Sequence, residues 1–523
     1  MPPARAEGSP RAIVGGAYAW YVLGVLFIVY VVNFVDRQII SILAQDIKAG
    51  LGLGDAQIGF LYGTAFAIFY ALFGIPLGRL ADSWYRVRLI GLGLTVWSGM
   101  TALSGFASSY GQLAVARVGV GIGEASASPA AYSLLGDYFP RERRALALAI
   151  YSAGLFTGAG LSLPLGGWAA HAWSQHFPLP GAPLGLAGWQ AAFLAVGIPG
   201  LLLALWVFTL REPPRGLADG VLTPARQPQA WREFALEVAA ILPPFTLWSV
   251  SRFRGALRTN LILLAGFALG AALLTLLTGD KLQWCTVGLG AYAVSSWVQK
   301  LRATDRPTYV LLWGTPAVLY ALLGFACITF VTYSLSFWMA PYAIRTFGLR
   351  TDVVGVMVGV PAGFGAAIGC VAGGRLSDVW RRRDPRGRIY ACMLALVLPL
   401  PFILGALETG DVRVLYVLAP LVQLGANMWL GSGAAALQDS VLPRMRGTAA
   451  ATLFIATSLG LALGPYFAGR ISVLTGSLRI GILSIFIVSP LALYALWRAS
   501  RELPLAEAAK DARAAAAGEL TAA

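Results

Sequence analysis

The fold is decided by one stretch of sequence, Gly78-Arg79-Leu80-Ala81-Asp82-Ser83-Trp84-Tyr85-Arg86-Val87-Arg88, because a close copy recurs later in the chain. The copy reads Gly374-Arg375-Leu376-Ser377-Asp378-Val379-Trp380-Arg381-Arg382-Arg383. Its Gly, Arg, Leu, Asp and Trp match the first stretch position for position, and both stretches end in Arg. A repeat of this length indicates a chain built from two related halves.

A second pair of matching stretches follows the first pair in the same order. It consists of Asp137-Tyr138-Phe139-Pro140-Arg141 and, with one residue inserted, Asp439-Ser440-Val441-Leu442-Pro443-Arg444. Each stretch precedes an Ala-rich segment that carries helix-breaking Gly and Pro residues, at 158–167 and 460–469. Duplicated halves with such breaks are typical of transporters that work by alternating access.

Composition places the chain in a membrane. Hydrophobic residues make up 58% of the sequence and charged residues 12%, about half the charged fraction of a soluble protein. Apolar runs of about 20 residues, the length needed to cross a bilayer as a helix, recur from end to end. We predict about fourteen spans, at 17–43, 56–77, 87–107, 111–138, 145–170, 189–210, 259–278, 283–299, 309–340, 353–377, 389–407, 412–438, 449–468 and 479–498.

The positive charges predict the orientation. Clusters of Arg fall in alternate loops, whereas the opposing loop 173–188 carries neither Lys nor Arg. By the positive-inside rule, both termini are cytoplasmic. The net charge of +15 therefore reads as an orientation signal and not as a nucleic-acid surface. The abundance of Ala, Gly and Arg favours a bacterial source, and hence the bacterial inner membrane.

These observations predict an all-α membrane protein of two pseudo-symmetric six-helix bundles, with an extra helix pair between them. The predicted parts are a disordered cytoplasmic tail at 1–16, a first bundle at 17–210, a central segment at 211–308, a second bundle at 309–498 and a cytoplasmic tail at 499–523. Within the central segment we expect an interfacial helix around 231–250, followed by the extra pair. We expect the chain to work as a monomer.

The sequence offers no signature of catalysis. Its four cysteines show no metal-ligand spacing, and no nucleophile and base occur together within the spans. We therefore predict no metal, no cofactor and no enzymatic activity. A membrane-bound acyltransferase is the alternative of a different class, and it lacks support for this reason.

The repeated turns resemble those of the major facilitator superfamily, whose signature is Gly-x-x-x-Asp-Arg-x-Gly-Arg-Arg/Lys between its second and third helices. The match covers three positions in each half: Gly78, Asp82 and Arg86, then Gly374, Asp378 and Arg382. The sequence departs from the signature at Ser83 and Val379, where a basic residue is usual, and at Tyr85 and Arg381, where a second Gly is usual.

Two further stretches resemble the spinster-type branch of this superfamily. They are Asn33-Phe34-Val35-Asp36-Arg37 in the first span and Arg117-Val118-Gly119-Val120-Gly121-Ile122-Gly123-Glu124-Ala125 in the fourth. The stretch 188–193 also fits, except that Gln190 stands where that branch more often has Arg. Members of this branch are associated with lysolipids and sphingoid phosphates in eukaryotes.

The resemblance implies that the repeated turns form a cytoplasmic gate. Arg79 or Arg86 is placed to pair with carboxylates such as Asp137, and Asp82 to receive the positive end of a helix dipole. Such pairs hold one closed state and break in the other. The simpler reading is orientation charge alone, which the duplication disfavours. The predicted gate residues are Gly78, Arg79, Asp82, Arg86, Asp137, Gly374, Arg375, Asp378, Arg382 and Asp439.

Four charges lie within the predicted spans: Asp36, Arg37, Arg117 and Glu124. Each costs about 3 kcal/mol to insert, so each needs a reason to be there. Asp36 and Arg117 lie at similar depth, and helices one and four adjoin in this superfamily, so Asp36 or Arg37 is expected to face Arg117. Glu124 lies two helical turns from Arg117 on the same face, near the middle of the membrane.

This set of charges suggests a proton switch. A buried carboxylate beside Arg stays ionised, and it takes up a proton once the Arg moves away. Our hypothesis is that protonation of Asp36 or Glu124 releases an Arg, which then holds an anionic group of the substrate by bidentate hydrogen bonds. The alternative is a salt bridge that only staples helices one and four.

Aromatic and amide residues complete a predicted amphipathic cavity, charged on the side of the first half and aromatic on the other. The cavity candidates are Asn33, Tyr62, Phe66, Tyr333, Phe337, Trp338 and Asn427. The expected function is secondary active transport of a small amphipathic or anionic solute, lysolipid-like or different, coupled to protons. Proton-driven export of hydrophobic drugs or metabolites is the alternative, and the direction of transport stays open.

Overall fold

The structure is a computed structural model that describes residues 14–219, 228–253 and 255–519. The predicted N-terminal tail therefore lies almost wholly outside the described residues. The first half consists of six helical elements: α1 (Ala17–Leu51), α2 (Asp55–Ser83), α3 (Arg86–Ser104), α4 in two segments (Tyr110–Glu124 and Ala127–Tyr138), α5 (Arg141–His176) and α6 (Gly188–Phe208).

Five helices make up the central part of the chain. They are α7 (Ala230–Ile241), α8 (Phe245–Ser251), α9 (Ala256–Thr278), α10 (Lys281–Thr304) and α11 (Arg306–Leu312). The single interfacial helix expected around 231–250 is two helices, α7 and α8, bent by 103°. The bend falls at Pro243 and Pro244, since Pro lacks the backbone donor that a continuing helix needs.

The second half repeats the pattern of the first. It consists of α12 (Pro316–Phe347), α13 (Thr351–Arg383), α14 (Gly387–Glu408), α15 (Val412–Asp439), α16 (Arg446–Thr475) and α17 (Leu478–Ala508), followed by the short α18 (Lys510–Ala516). Packing follows the repeat: α1 packs on α5 as α12 packs on α16, and α2 packs on α4 as α13 packs on α15. The described residues thus form two pseudo-symmetric sets of six helices, as predicted.

Twelve of the described helices are long and apolar enough to cross a membrane, two fewer than predicted. The predicted span 111–138 is divided at Ala125 and Ser126 into two segments of 15 and 12 residues, each too short to cross alone. The predicted span 283–299 lies within α10, a full-length helix that does not meet the same test. The predicted span 309–340 is interrupted at residues 313–315, so that it comprises the end of α11 and most of α12. The other predicted positions are mainly helical.

The two halves meet along two seams, α2 against α16 and α5 against α13. We call the end that carries the repeated turns the gate end and the opposite end the far end. At the far end the halves are in close contact: residues 33–44 of α1 are all buried, and a Cβ on Gly63 would overlap the carbonyl oxygen of Leu461. Toward the gate end, Tyr132 and Phe454 are exposed.

Candidate functional site

The four predicted intramembrane charges come together in one buried cluster within the first half. Asp36 and Arg117 are 0% exposed, Glu124 is 1% and Arg37 is 6%. α1 contributes Asp36 and Arg37, and the first segment of α4 contributes the other two. Because two acids and two bases are present, the cluster has no net formal charge when all four are ionised.

Arg37 and Glu124 form the ion pair of the cluster. Nε and Nη2 of Arg37 both donate to Oε2 of Glu124, at 3.1 and 2.6 Å. The other carboxylate oxygen, Oε1, is buried and accepts no hydrogen bond from a described residue. One oxygen of Glu124 is therefore saturated and the other is available to a proton or a ligand.

Aromatic rings surround the guanidinium of Arg37. Its Cζ lies 4.5 Å from the ring centroid of Phe34, 4.4 Å from that of Phe66 and 4.9 Å from that of Tyr70. The negative face of an aromatic ring attracts a cation most strongly where water is excluded. These contacts hold Arg37 in place, and among the described residues Glu124 is its one carboxylate partner.

Arg117 is placed differently from the expectation. Its guanidinium donates to the main-chain carbonyls of Asp36 at 3.2 Å, Arg37 at 3.4 Å and Leu61 at 3.4 Å, and not to the carboxylate of Asp36. The hydroxyl of Ser98 lies 3.5 Å from Oδ2 of Asp36, and Oδ1 accepts no hydrogen bond from a described residue. The predicted proximity of Asp36 and Arg117 therefore exists, but without a direct ion pair in this state.

Four of the predicted cavity residues are fully buried, and two of them meet at the contact between the halves. Tyr62, Phe66, Phe337 and Trp338 are at most 1% exposed. The rings of Tyr62 and Phe337 stack across the boundary with centroids 4.3 Å apart, and the indole of Trp338 donates to the carbonyl of Pro465 at 2.9 Å. In this state Tyr62 and Phe337 pack against each other between the halves, Trp338 bonds within the second half, and Phe66 packs against Arg37 and Tyr70 within the first half.

The other cavity candidates are less uniform. Asn33 is buried beside the charge cluster, whereas Tyr333 and Asn427 are half-buried in the second half. The amide of Asn427 donates to the carbonyl of Gln423, one turn earlier, at 2.8 Å. Tyr333 and Asn427 are thus the second-half candidates that are only partly buried.

Arg86 is the centre of the gate in the first half. It is 1% exposed and pairs with Asp137, as predicted, and also with Glu212 at 2.8 Å. The backbone amide of Gly216 donates to the other oxygen of Asp137 at 2.9 Å. α3, α4 and the segment after α6 are therefore joined by one buried network, of which the sequence pattern indicated only the Arg86–Asp137 part.

The remaining first-half gate residues follow the repeat less closely. Arg79 pairs with Glu237 of α7 at 2.7 Å, and Lys300 of α10 pairs with the same oxygen at 2.7 Å. Asp82 is exposed and makes no hydrogen bond or ion pair with a described residue. A Cβ on Gly78 would meet no neighbouring atom within 4 Å, so close packing does not require glycine there.

In the second half a residue outside the predicted set pairs with the gate carboxylate. Asp439 pairs with Arg388, at the start of α14, and more distantly with Arg381 at 3.9 Å. Arg375, Asp378 and Arg382 are exposed and make no ion pair with a described residue, and Gly374 meets no neighbour within 4 Å. The turn is longer here than in the first half, so the next helix begins at Gly387 with Arg388 as its second residue, and Arg382 lies in the last turn of the preceding helix. Alignment by helix start sets Arg86 opposite Gly387 and would have pointed to the neighbouring Arg388.

A charged cluster at the far end joins the two halves, and the sequence analysis missed it. Asp55, at the start of α2, pairs with Arg345 near the end of α12 and with Lys48 of α1 at 2.9 Å, and it accepts a hydrogen bond from Ser472 of α16 at 2.7 Å. Arg345 also donates to Gln45 at 2.7 Å. These charges lie at helix ends, where charged residues are common and do not indicate a contact. Nothing in the sequence links Asp55 to Arg345.

Comparisons with known proteins match this architecture. The protein-family model described as Major Facilitator Superfamily matches residues 26–465. An MFS-type efflux pump of Mycolicibacterium smegmatis is 28% identical over 458 residues, which cover 88% of this chain and 85% of the pump. A probable L-galactonate transporter of Escherichia coli is 29% identical over 188 residues, 36% of this chain and 38% of that protein.

The solved structures agree. The crystal structure of a bacterial homolog to the human lysosomal transporter spinster, in an inward-facing and unoccupied conformation, superposes with a TM-score of 0.64. It is 26% identical and covers 96% of this chain and 95% of its own. Among the described residues, no three His, Cys, Asp or Glu side chains lie together as metal ligands would. The chain belongs to the major facilitator superfamily and is a multi-pass membrane transporter of its spinster-like branch, not an enzyme.

Proposed function

We propose that this protein is a proton-coupled secondary transporter that works by alternating access and carries a small organic anion, amphipathic or lysolipid-like. The observation that carries the proposal is the buried Arg37–Glu124 ion pair, in which Arg37 has one carboxylate partner and Glu124 has one free oxygen. A strong cation with a single, replaceable partner is suited to exchange that partner for a carboxylate or phosphate of the substrate.

Charge balance explains why a proton accompanies the anion. The cluster is neutral when Asp36, Arg37, Arg117 and Glu124 are all ionised, and an added anion in this buried site would leave an uncompensated negative charge. Protonation of Glu124 removes one negative charge and frees Arg37, so that a monovalent anion restores neutrality. The proton and the anion then bind together, one to one.

The arrangement of contacts supports alternating access. Contacts between the halves concentrate at the far end, around Asp55 and Arg345, whereas the gate pairs of Arg86 and Arg388 each lie within one half. The state described is thus closed at the far end. We infer that 17–210 and 309–498 move as two bundles within a single chain, and that the gate end and both termini face the cytoplasm of a bacterial inner membrane.

The test is a binding and transport assay on the purified full chain. A thermal-shift screen of lysolipids, sugar acids, other organic anions and cationic drugs identifies a ligand, because a bound ligand stabilises the folded state. Its affinity is then measured across pH, and uptake into proteoliposomes is measured with and without a pH gradient. We expect the affinity for an anion to rise up to about tenfold for each unit of falling pH, as one coupled proton requires.

Matched variants locate the proton. Glu124→Gln and Asp36→Asn are compared with Asp46→Asn as the control. Asp46 lies on α1, as Asp36 does, and makes no hydrogen bond or ion pair with a described residue. We expect Glu124→Gln or Asp36→Asn to abolish the pH dependence while Asp46→Asn retains it. If both test variants keep the pH dependence of the wild type, the proton proposal is wrong and the staple between helices one and four is the better account.

A second candidate is export of hydrophobic drugs or metabolites in exchange for protons, which the efflux-pump relative favours. In that case the proton and the substrate compete for the acidic cluster, and the affinity for the substrate falls as the pH falls. The sign of the pH dependence therefore separates the two candidates, provided that the screen yields at least one ligand.

A further inference from the structure

The helix pair α9 and α10, which we call the inserted hairpin, has no counterpart in the two six-helix sets. α9 lies on the outside, and Asn260 is its sole buried residue among those described. α10 packs along α2, where Ile75, Trp297 and Leu301 form a small buried cluster and a Cβ on Gly290 would touch Ile68. The hairpin therefore lies on the seam where α2 meets α16.

Buried polar contacts join the two helices of the hairpin to each other and to α8. The hydroxyl of Tyr292 donates to Oδ1 of Asn260 at 2.6 Å, and the amide of Asn260 donates to Ser296 at 3.1 Å. Thr246 of α8 lies 2.8 Å from the same Tyr292 hydroxyl. Interhelical hydrogen bonds of this kind join helices where lipid offers no hydrophobic driving force.

The turn of the hairpin binds α16 through a hydrogen bond and an ion pair. Tyr466 donates its hydroxyl hydrogen to Oδ2 of Asp280 at 2.7 Å, and Arg470, one turn further along α16, lies 3.5 Å from the same oxygen. The ring of Trp284, at the start of α10, stands edge-on to Tyr466 with centroids 5.6 Å apart. An acidic residue at the far-end turn is thus bound to the second half.

The same end of α10 also contacts α2 through a hydrogen bond. Gln283 is 1% exposed, and its Oε1 lies 2.7 Å from the hydroxyl of Thr64. That hydroxyl also lies 2.5 Å from the carbonyl of Ala462 on α16. At the start of α10, then, the N-cap residue Asp280 contacts α16, and Gln283, within the first turn, contacts α2.

We propose that the inserted hairpin is a clasp that holds the far end closed. Opening the far end separates α2 from α16, and a rigid hairpin can follow only one of them. Either the Gln283–Thr64 contact or the Asp280–Tyr466 contact must then break, so the hairpin shifts the conformational equilibrium toward the far-closed state. The inference rests on the alternating access proposed above, but not on the identity of the solute or on proton coupling.

The test is a distance measurement between spin labels on the full chain in lipid nanodiscs. Labels at Ala49 and Thr346, exposed residues at the far ends of α1 and α12, report the separation of the halves there. The four native cysteines are first replaced. We expect Asp280→Asn and Tyr466→Phe each to raise the population of the long distance about three- to tenfold, as loss of the typical net contribution of one hydrogen bond implies.

Two further variants make the result decisive. Glu408→Gln breaks the 3.0 Å pair with Arg479, which also lies at the far end but joins helices of one half, and should leave the distances unchanged. Arg345→Gln breaks the direct contact between the halves at Asp55 and should lengthen them. Tyr466→Phe retains the ring against Trp284, so it keeps the test valid if Asp280→Asn folds poorly.

The outcomes separate the clasp from the transport mechanism. Longer distances in the Asp280 or Tyr466 variant, but not in Glu408→Gln, support the clasp. Unchanged distances in both, with a response to Arg345→Gln, overturn the clasp and leave alternating access standing. Unchanged distances in every variant count against alternating access itself, and the clasp fails with it.

Discussion

The two halves share a fold but differ in what they bury. Among the described residues, the buried charged side chains all lie in the first half or in α7: Asp36, Arg37, Asp55, Arg86, Arg117, Glu124, Asp137 and Glu237. The second half buries hydroxyls and amides instead, such as Thr332, which donates to the carbonyl of Ala426 at 3.2 Å, and Gln423. Duplication therefore preserved the helices and their packing and did not preserve the electrostatics.

The difference indicates a division of labour. Charges in the middle of a membrane are costly and persist where they bind or move ions. Neutral polar side chains satisfy backbone groups and position helices at less cost. This contrast predicts that the first half responds to protons and anions. It also predicts that the second half closes against the first without binding ions itself. Three predictions follow from it, and each compares one half with the other.

The largest effect is expected at the gate. Arg86→Met leaves Asp137 and Glu212 without their shared cation in a buried site, and loss of one partner of a buried ion pair costs about 3–5 kcal/mol. Arg388→Met is the matched change in the second half, where the side chains of Arg388 and Asp439 are 17% and 29% exposed. There we expect a loss of about 1 kcal/mol or less, because water screens the pair.

The measurement is the free energy of unfolding of both variants, by titration with a denaturing detergent. Equal losses in the two variants would contradict the contrast between the gates. A control at Arg382→Met, which removes an exposed Arg without an ion partner among the described residues, should leave the stability near that of the wild type.

The next effect is on transport. Arg37→Met removes the cation to which the substrate anion is proposed to bind, and truncation of one member of a buried charge pair costs about 2–5 kcal/mol. We expect the initial transport rate to fall at least about 30-fold. Asn427→Leu changes a half-buried polar residue of the second half, whose amide donates to Gln423 of the same helix, and should reduce the transport rate less than about threefold.

The assay is uptake of the screened ligand into proteoliposomes at matched protein content. Arg37→Lys adds information, since Lys keeps the charge but loses the bidentate geometry and much of the contact with the rings of Phe34, Phe66 and Tyr70. A rate near that of the wild type in Arg37→Met would remove Arg37 from the substrate site.

The sequence predicted the repeat, the membrane class and the membership of the charge cluster. It could do so because internal repeats, hydropathy and depth along a helix all follow from the order of the residues in the chain. It did not predict that Arg117 would bond to the main chain of α1 and leave the carboxylate of Asp36 to Ser98. That choice depends on side-chain rotamers and on the exact approach of two helices, which a count of residues does not contain.

Loop length and helix breaks account for most of the other differences. Arg388, which pairs with Asp439, was absent from the predicted gate residues because the second-half turn is longer and the match of residue types pointed to Arg382 instead. The span at 111–138 was predicted as one helix, although Ala125 and Ser126 divide it beside Glu124. Contacts between distant helix ends, such as Asp55 with Arg345, leave no pattern in a single sequence.

The smallest effect is expected at an exposed arginine of the second half. Arg444, before α16, donates to Asp305 at 3.1 Å and pairs with Glu519, and its side chain is 47% exposed. Partial burial alone would raise the pKa of Asp305, but the hydrogen bonds from Arg444 and Thr308 outweigh it and lower the pKa below its usual value. The hydrogen bond from Arg444 likewise lowers the pKa of Glu519.

The sign of the pH dependence follows from these directions. A carboxylate whose pKa is lower in the folded state stabilises the fold above its unfolded pKa, about 4 for Asp, and this contribution disappears as the pH falls through the lower folded value. Arg444→Gln should therefore reduce stability at pH 7 by less than about 1 kcal/mol, and the deficit should shrink below about pH 4. Thermal unfolding of the variant and the wild type at pH 7 and at about pH 3 measures the difference, with Arg446→Gln as the exposed control.

A loss of stability that grows as the pH falls would contradict the assignment of these ion pairs. A loss as large as that of Arg86→Met would contradict the contrast between a buried gate in the first half and an exposed gate in the second half.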